Sequence, residues 1–92
     1  MSSQTTKAII DLVLPTLTDA GVKIKSPIER RIKVEFPENF NFQVNALMTK
    51  LRFELNDYES SDDELVFCGS YNGYDVFIYF DFSRNEIIFT HD

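Results

Sequence analysis

The dipeptide Asn72-Gly73 constrains the fold of this chain more than any other feature, because it lies between two runs rich in aromatic and β-branched residues. Both residues accept a positive φ, and the pair is typical of the two-residue turn of an antiparallel hairpin. It predicts strands over residues 65–71 and 74–82. A second turn near residues 83–85 then returns the chain as a third antiparallel strand over 86–91.

The hairpin register divides the side chains between two faces of a sheet. With a two-residue turn, Tyr71 faces Tyr74 and Glu64 faces Asp81. One face collects large apolar residues and is the predicted core; they are Leu65, Phe67, Val76, Ile78, Phe80, Phe82, Ile87 and Phe89. The opposite face has an apolar centre with carboxylates around it. We therefore take that opposite face, called the outer face below, as the candidate working surface.

The N-terminal half supplies two helices and one more strand. Apolar residues at helical spacing predict helices over 4–20 and 41–56, and Pro15 predicts a kink or restart in the first. Residues 31–36 alternate charged and apolar side chains, as a half-buried strand does. The 92 residues therefore form a single acidic α+β domain, 1–92, in the order α-β-α-β-β-β. We expect a two-layer sandwich with two helices on a mainly antiparallel four-stranded sheet, whose strand order the sequence leaves open.

Charge is distributed unevenly along the chain. Residues up to Phe53 carry eight basic against five acidic side chains, whereas those from Glu54 onward carry ten acids and only Arg84 as a base. The total of −6 is therefore concentrated in the second half. Such asymmetry predicts one face with a negative potential that attracts a positively charged partner and repels a nucleic-acid backbone.

The same composition excludes most enzyme classes. One cysteine, Cys68, and one histidine, His91, cannot form a zinc site, a thiol protease or a Ser-His-Asp triad. An EF-hand register starting at Asp57 fails, because Asp62 stands where glycine is needed and Cys68 where glutamate is needed. We therefore expect no catalysis, metal or cofactor. The absence of an 18-residue apolar run or a basic leader predicts a cytoplasmic protein without a membrane span.

Acidic side chains form the first candidate binding set. They are Glu54, Asp57, Glu59, Asp62, Asp63, Glu64, Asp75, Asp81 and Glu86. Opposing Glu64 to Asp81 costs stability, by up to about 1 kcal/mol, which selection for folding alone would avoid. Two interpretations stay open: solvated charges that block sheet aggregation, or an array for a cationic partner. Carboxylates about 6.7 Å apart along a strand and about 4.8 Å apart across strands approach the scale of phosphate spacing in nucleic acid.

Apolar residues at the centre of the outer face form the second candidate set. They are Val66, Phe77, Tyr79 and Ile88. Either the first helix covers them, or they are exposed and mark a homodimer seam or a partner site.

The acidic stretch Asn56-Asp57-Tyr58-Glu59-Ser60-Ser61-Asp62-Asp63-Glu64, with Asp75, Asp81 and Glu86 on an aromatic-rich sheet, resembles the anti-restriction nuclease (Arn) family of T-even bacteriophages. These proteins are small acidic DNA mimics, and the likeness covers length, acidity and element order. It implies a homodimer in the cytoplasm of an infected bacterium. It also implies partners among host DNA-binding proteins: a modified-cytosine-specific restriction endonuclease and the histone-like nucleoid structuring protein. The basic first half departs from a uniformly acidic mimic, so that only one face would imitate DNA.

The sequence thus favours a DNA-mimic inhibitor that fills a basic DNA-binding cleft with carboxylates and blocks DNA binding stoichiometrically. An alternative is a specific interaction or immunity module that binds one partner through Phe77 and Tyr79, with the acids as a polar rim.

Overall fold

The computed structural model describes residues 2–26 and 30–91, with the side chains of residues 2 and 3 outside that description. Its helices and strands alternate in a mixed order along the chain. They are α1 Ser2–Asp19, β1 Lys23–Ile24, β2 Arg31–Glu35, α2 Phe40–Lys50, β3 Glu54–Leu55, β4 Glu64–Tyr71, β5 Tyr74–Asp81 and β6 Glu86–His91.

The strands form one antiparallel sheet in the order β1-β2-β6-β5-β4-β3. The expected α+β class is confirmed, but the four-stranded sheet was wrong, because the described sheet has six strands. The two additional strands, β1 and β3, have two residues each and lie at the two edges. A two-residue strand shows no alternation of polar and apolar side chains, so the sequence pattern did not reveal them.

The central hairpin has the predicted turn and register. Asn72 and Gly73 have φ values of 50° and 84°, as a turn with two left-handed residues requires. Tyr71 pairs with Tyr74, and the pairing continues without a bulge to Glu64 opposite Asp81. The hairpin therefore fixes which side chains of β4 and β5 share a face.

Both helices pack on the predicted inner face of the sheet. Of the eight residues assigned to that face, six are fully buried and two, Leu65 and Phe82, are partly buried against them. The helices contribute further buried side chains to the same core; they include Ile9, Val13, Leu17, Val44 and Met48. The inner face is thus confirmed as the core.

Both helix predictions need correction. α1 runs unbroken through the exposed Pro15, which excludes the restart, one of the two alternatives (kink or restart) predicted there. α2 ends at Lys50 and not at residue 56, because Arg52 adopts a left-handed φ of 67°. Leu55, which continues the apolar spacing of the helix, instead belongs to β3 and pairs with Phe67 of β4. Among the described residues no helix is long and apolar enough to span a membrane.

Close packing joins the end of α2 to the sheet. Phe53 is buried beside Gly69 of β4, where an added Cβ would approach a Phe53 ring carbon to 2.6 Å and the Arg52 carbonyl oxygen to 3.1 Å. Glycine at this position therefore allows the chain to pass close under the aromatic ring.

Candidate partner-binding surface

The outer face of the sheet is not covered by either helix, since the buried helical residues belong to the core on the other side. Its apolar centre is nevertheless less exposed than expected. Val66 is fully buried, and Phe77, Tyr79 and Ile88 are half-buried. Neither of the two alternatives holds in full: α1 does not cover these four residues, and they offer no large open apolar surface.

Charge follows the strand order across this face. The register places Arg31 and Lys33 of β2 beside β6, next to the edge strand β1 with Lys23. Glu64 of β4 and Glu54 of β3 lie toward the opposite edge. Lys23, Arg31 and Lys33 thus lie toward one edge of this face, and Glu54 and Glu64 lie toward the other.

Glu86 belongs to the basic side of the face. Its two carboxylate oxygens lie 3.0 Å from Arg31 Nη1 and 2.9 Å from Lys33 Nζ, and its side chain is only 5% exposed. The hydrogen bond from Lys33, together with the charges of Lys33 and Arg31, holds the pKa of Glu86 below its ordinary value despite desolvation. This arrangement leaves Glu86 with little free negative charge.

Asp81 is occupied by the turn that follows β5. Its Oδ1 accepts hydrogen bonds from the Ser83 hydroxyl at 2.8 Å and from the Arg84 backbone N–H at 3.0 Å. The Arg84 side chain lies 3.9 Å from Oδ2. Desolvation raises the pKa of Asp81, but these hydrogen bonds and the Arg84 charge outweigh it, so that the pKa is lowered overall. Asp81 therefore stabilises the turn, and Arg84 relieves its repulsion with Glu64.

The other seven predicted acids have no basic partner in the described part of the chain. Among residues 2–26 and 30–91, none of their carboxylates lies within 4.0 Å of a basic nitrogen. All are exposed except Glu64, which is half-buried; they are Glu54, Asp57, Glu59, Asp62, Asp63, Glu64 and Asp75. The structure thus places six of them along β3, β4 and the loop between them. Asp75 lies apart, near the hairpin turn.

The loop over residues 56–63 is held against β4 by hydrogen bonds to both backbone groups of Val66. The Asn56 N–H donates to the Val66 carbonyl at 2.7 Å, and the Val66 N–H donates to Ser60 Oγ at 3.0 Å. Ser60 Oγ itself donates to the Asn56 carbonyl at 2.8 Å. These bonds occupy the edge of β4 beyond the end of β3 and give the acidic loop a defined position.

Tyr79 shows where the acids of the loop and of the strand converge. Burial raises the pKa of the Tyr79 hydroxyl, and the negative charges of Glu59 and Glu64 raise it further. Glu59 is on the loop and Glu64 is the first residue of β4, so both contribute to one negative field over the centre of the outer face.

Tyr58 is a candidate contact that the sequence analysis did not select. Its side chain is fully exposed, at 101% of the reference value, between the exposed acids Asp57 and Glu59. Its backbone N–H donates to Asn56 Oδ1 at 3.1 Å. The sequence signal that could have identified it is a tyrosine between two acids, in a loop whose other residues show no apolar spacing typical of a strand or a helix. Exposed tyrosines of this kind are frequent binding anchors.

Comparison of the chain with protein-family models, with curated proteins and with solved structures finds no match. Within the described ranges, no group of three or more His, Cys, Asp or Glu side chains is arranged to hold a metal ion.

Proposed function

We propose that this protein is a DNA-mimic inhibitor, whose acidic edge occupies the DNA-binding site of a host DNA-binding protein and blocks DNA binding. The acidic edge consists of β3, the loop over 56–63 and the start of β4; its carboxylates are those of Glu54, Asp57, Glu59, Asp62, Asp63 and Glu64. The protein acts stoichiometrically and catalyses no reaction.

The observation that carries the proposal is the separation of paired from unpaired acids. Glu86 and Asp81, which have basic neighbours, stabilise strand pairing and a turn. Among residues 2–26 and 30–91, no carboxylate of the acidic edge lies within 4.0 Å of a basic nitrogen, and these acids follow one another along β3, the loop and the start of β4. Placing like charges together opposes folding, so their arrangement is better explained by an external cationic partner than by stability.

A basic DNA-binding cleft has the complementary chemistry. Lys and Arg that contact phosphates along a nucleic-acid strand would meet carboxylates spaced along a strand and a loop. Because the acidic edge is exposed, both partners keep most of their hydration, and the attraction is sensitive to salt. Competition with DNA follows, since mimic and DNA use the same basic side chains.

The resemblance to the Arn family adds specific partners to the proposal. These are a modified-cytosine-specific restriction endonuclease and the histone-like nucleoid structuring protein, met in the cytoplasm of an infected bacterium. We also propose a homodimer, with Phe77, Tyr79 and Ile88 as its candidate seam. Their partial burial limits the apolar area available there, so the dimer would depend on charged contacts between the basic and acidic sides of the face.

The proposal is tested by capture from bacterial extract on the immobilised protein at about 0.05 M and 0.5 M salt, followed by elution with duplex DNA. We expect basic DNA-binding proteins to be retained at low salt, lost at high salt and released by DNA. Retention of a single partner that resists salt and ignores DNA would contradict the proposal and favour the specific interaction module.

A further inference from the structure

The tip of the central hairpin, Asn72-Gly73, places a carboxamide next to an unhindered backbone nitrogen. Both residues are exposed, and a Cβ added to Gly73 would meet nothing within 4 Å. In the described part of the chain, neither the Asn72 side chain nor the Gly73 N–H makes a hydrogen bond to protein. A two-residue turn leaves this N–H free, because Tyr71 and Tyr74 on either side of it close the turn. The nitrogen of Gly73 is therefore available to react with the carboxamide that precedes it.

The reaction open to this pair is deamidation through a cyclic imide, with water as the only co-reactant. The Gly73 nitrogen loses its proton to solvent and attacks Asn72 Cγ. The new N–C bond closes the imide, and the bond from Cγ to Nδ2 breaks as ammonia takes up a proton and leaves. Water then cleaves the imide at either carbonyl. Cleavage at the side-chain carbonyl gives aspartate, whereas cleavage at the backbone carbonyl gives isoaspartate, in which the main chain runs through Cβ and Cγ.

The other five asparagines are each followed by a residue with a side chain; they are Asn39, Asn41, Asn45, Asn56 and Asn85. The nitrogens that would attack the first two already donate hydrogen bonds, from Phe40 to the Pro37 carbonyl at 3.3 Å and from Phe42 to the Asn39 carbonyl at 3.0 Å. Asn45 lies within α2, and Asn85 precedes the buried Glu86. The Asn56 carboxamide accepts a hydrogen bond from the Tyr58 N–H. Exposure, a free nitrogen and a following glycine therefore coincide at Asn72.

We propose that Asn72 is a site of spontaneous conversion to isoaspartate, and that this modification weakens the central hairpin. Isoaspartate adds one carbon atom to the main chain between Tyr71 and Tyr74, whereas the pairing of β4 with β5 depends on a two-residue turn. The modification is independent of the proposed inhibition of a DNA-binding protein. It also supplies its own probe, since isoaspartyl methyltransferases esterify the isoaspartyl carboxylate with S-adenosylmethionine.

The first test compares the folded protein with the same protein unfolded in urea, both incubated for days in mildly alkaline buffer. Isoaspartate is quantified with the methyltransferase and radiolabelled S-adenosylmethionine, and its position is determined by mass spectrometry. Local opening of an exposed turn costs little free energy, so we expect the rate at Asn72 in the folded protein to lie within about a hundredfold of the unfolded rate. A site reached only through global unfolding would be slowed by about a thousandfold or more. A folded-state rate more than about a hundredfold below the unfolded rate, or isoaspartate that forms faster at another asparagine, would overturn the proposal.

Glycine substitutions identify the reacting carboxamide without straining the backbone. Asn72→Gly removes it at a φ of 50°, which glycine adopts freely, and should abolish the labelling of the folded protein. Asn85→Gly, at a φ of 56°, is the matched control and should be labelled at the original rate. Undiminished labelling of Asn72→Gly would refute the assignment.

The effect on the hairpin is measured on the isoaspartyl form, separated by anion exchange from the unmodified protein and from the aspartyl product. The variant Asn72→Asp is its control, because it carries the same added charge on an ordinary main chain. We expect the isoaspartyl form to unfold at a lower urea concentration than Asn72→Asp. Equal urea midpoints would contradict the claim that the lengthened turn weakens the pairing of β4 with β5.

Discussion

Neutralising three unpaired acids of the loop should weaken partner binding without weakening the fold. The three acids are Asp57, Asp62 and Asp63. All three side chains are exposed, and none has a basic partner among the described residues. The variant Asp57→Asn/Asp62→Asn/Asp63→Asn therefore loses no internal ion pair. Its urea midpoint should equal or exceed that of the original protein, because repulsion within the loop is reduced.

The exposure of these side chains sets the expected loss of affinity. An exposed ion pair contributes about 0.2–1 kcal/mol, so three pairs formed with a basic cleft contribute roughly 0.6–3 kcal/mol together. That range corresponds to a dissociation constant raised about 3- to 150-fold. Because screening shortens the Debye length from about 8 Å at 0.15 M salt to about 3 Å at 1 M, the difference between variant and original should shrink as salt increases.

The matched control neutralises three exposed acids elsewhere: Asp11→Asn/Asp19→Asn/Glu38→Gln. It changes the net charge by the same amount and leaves the acidic edge intact. Dissociation constants for a captured partner, measured by calorimetry at several salt concentrations, compare the two variants. An equal loss of affinity in the control would refute the reasoning, since binding would then depend on net charge and not on the acidic edge.

Three further predictions concern packing, pH and the exposed tyrosine. Gly69→Ala forces a Cβ to within 2.6 Å of the Phe53 ring and should lower the free energy of unfolding by about 1–3 kcal/mol. Gly73→Ala meets open space at a φ of 84° and should cost less, about 1 kcal/mol. Urea titration compares the two variants, and the reverse order would contradict the packing argument. The lowered pKa values of Asp81 and Glu86 add stability that is present above the ordinary carboxyl pKa values of 3.8 and 4.5 and is lost as pH falls through the folded-state values. Glu86→Gln should therefore make the free energy of unfolding, measured by urea titration, fall less steeply as the pH is lowered. An unchanged dependence on pH would count against the ion pairs of Glu86. Tyr58→Ala should weaken partner binding while the salt dependence and the urea midpoint stay unchanged, and a changed salt dependence would assign the effect to the acids instead.

Local signals in the sequence were sufficient for the hairpin and the core. Asn72-Gly73 determined a turn, the turn determined the register, and the register assigned the inner-face residues correctly. Each step depends on neighbours in the chain and on the two-residue period of a strand, and both can be read without knowing the tertiary structure.

The edges of the sheet could not be predicted in the same way. Leu55 continues the helical spacing of α2, and only the left-handed Arg52 turns the chain into β3 instead. β2 lies beside β6, a strand distant from it in sequence, and this neighbourhood is what joins Glu86 to Arg31 and Lys33. The candidate site was therefore predicted as a set of acids, whereas their division into paired and unpaired members required the strand order.

Competition with DNA tests the central claim most directly. A captured partner is purified and bound to fluorescently labelled duplex DNA, and the protein is added while anisotropy is followed. The DNA-mimic proposal predicts that DNA is released progressively as the protein is added, that excess duplex reverses the release, and that the Asp57/Asp62/Asp63 variant requires a higher concentration for half-release than the control variant does. DNA that stays bound while the partner also binds this protein would contradict the proposal, because mimic and DNA would then occupy different sites.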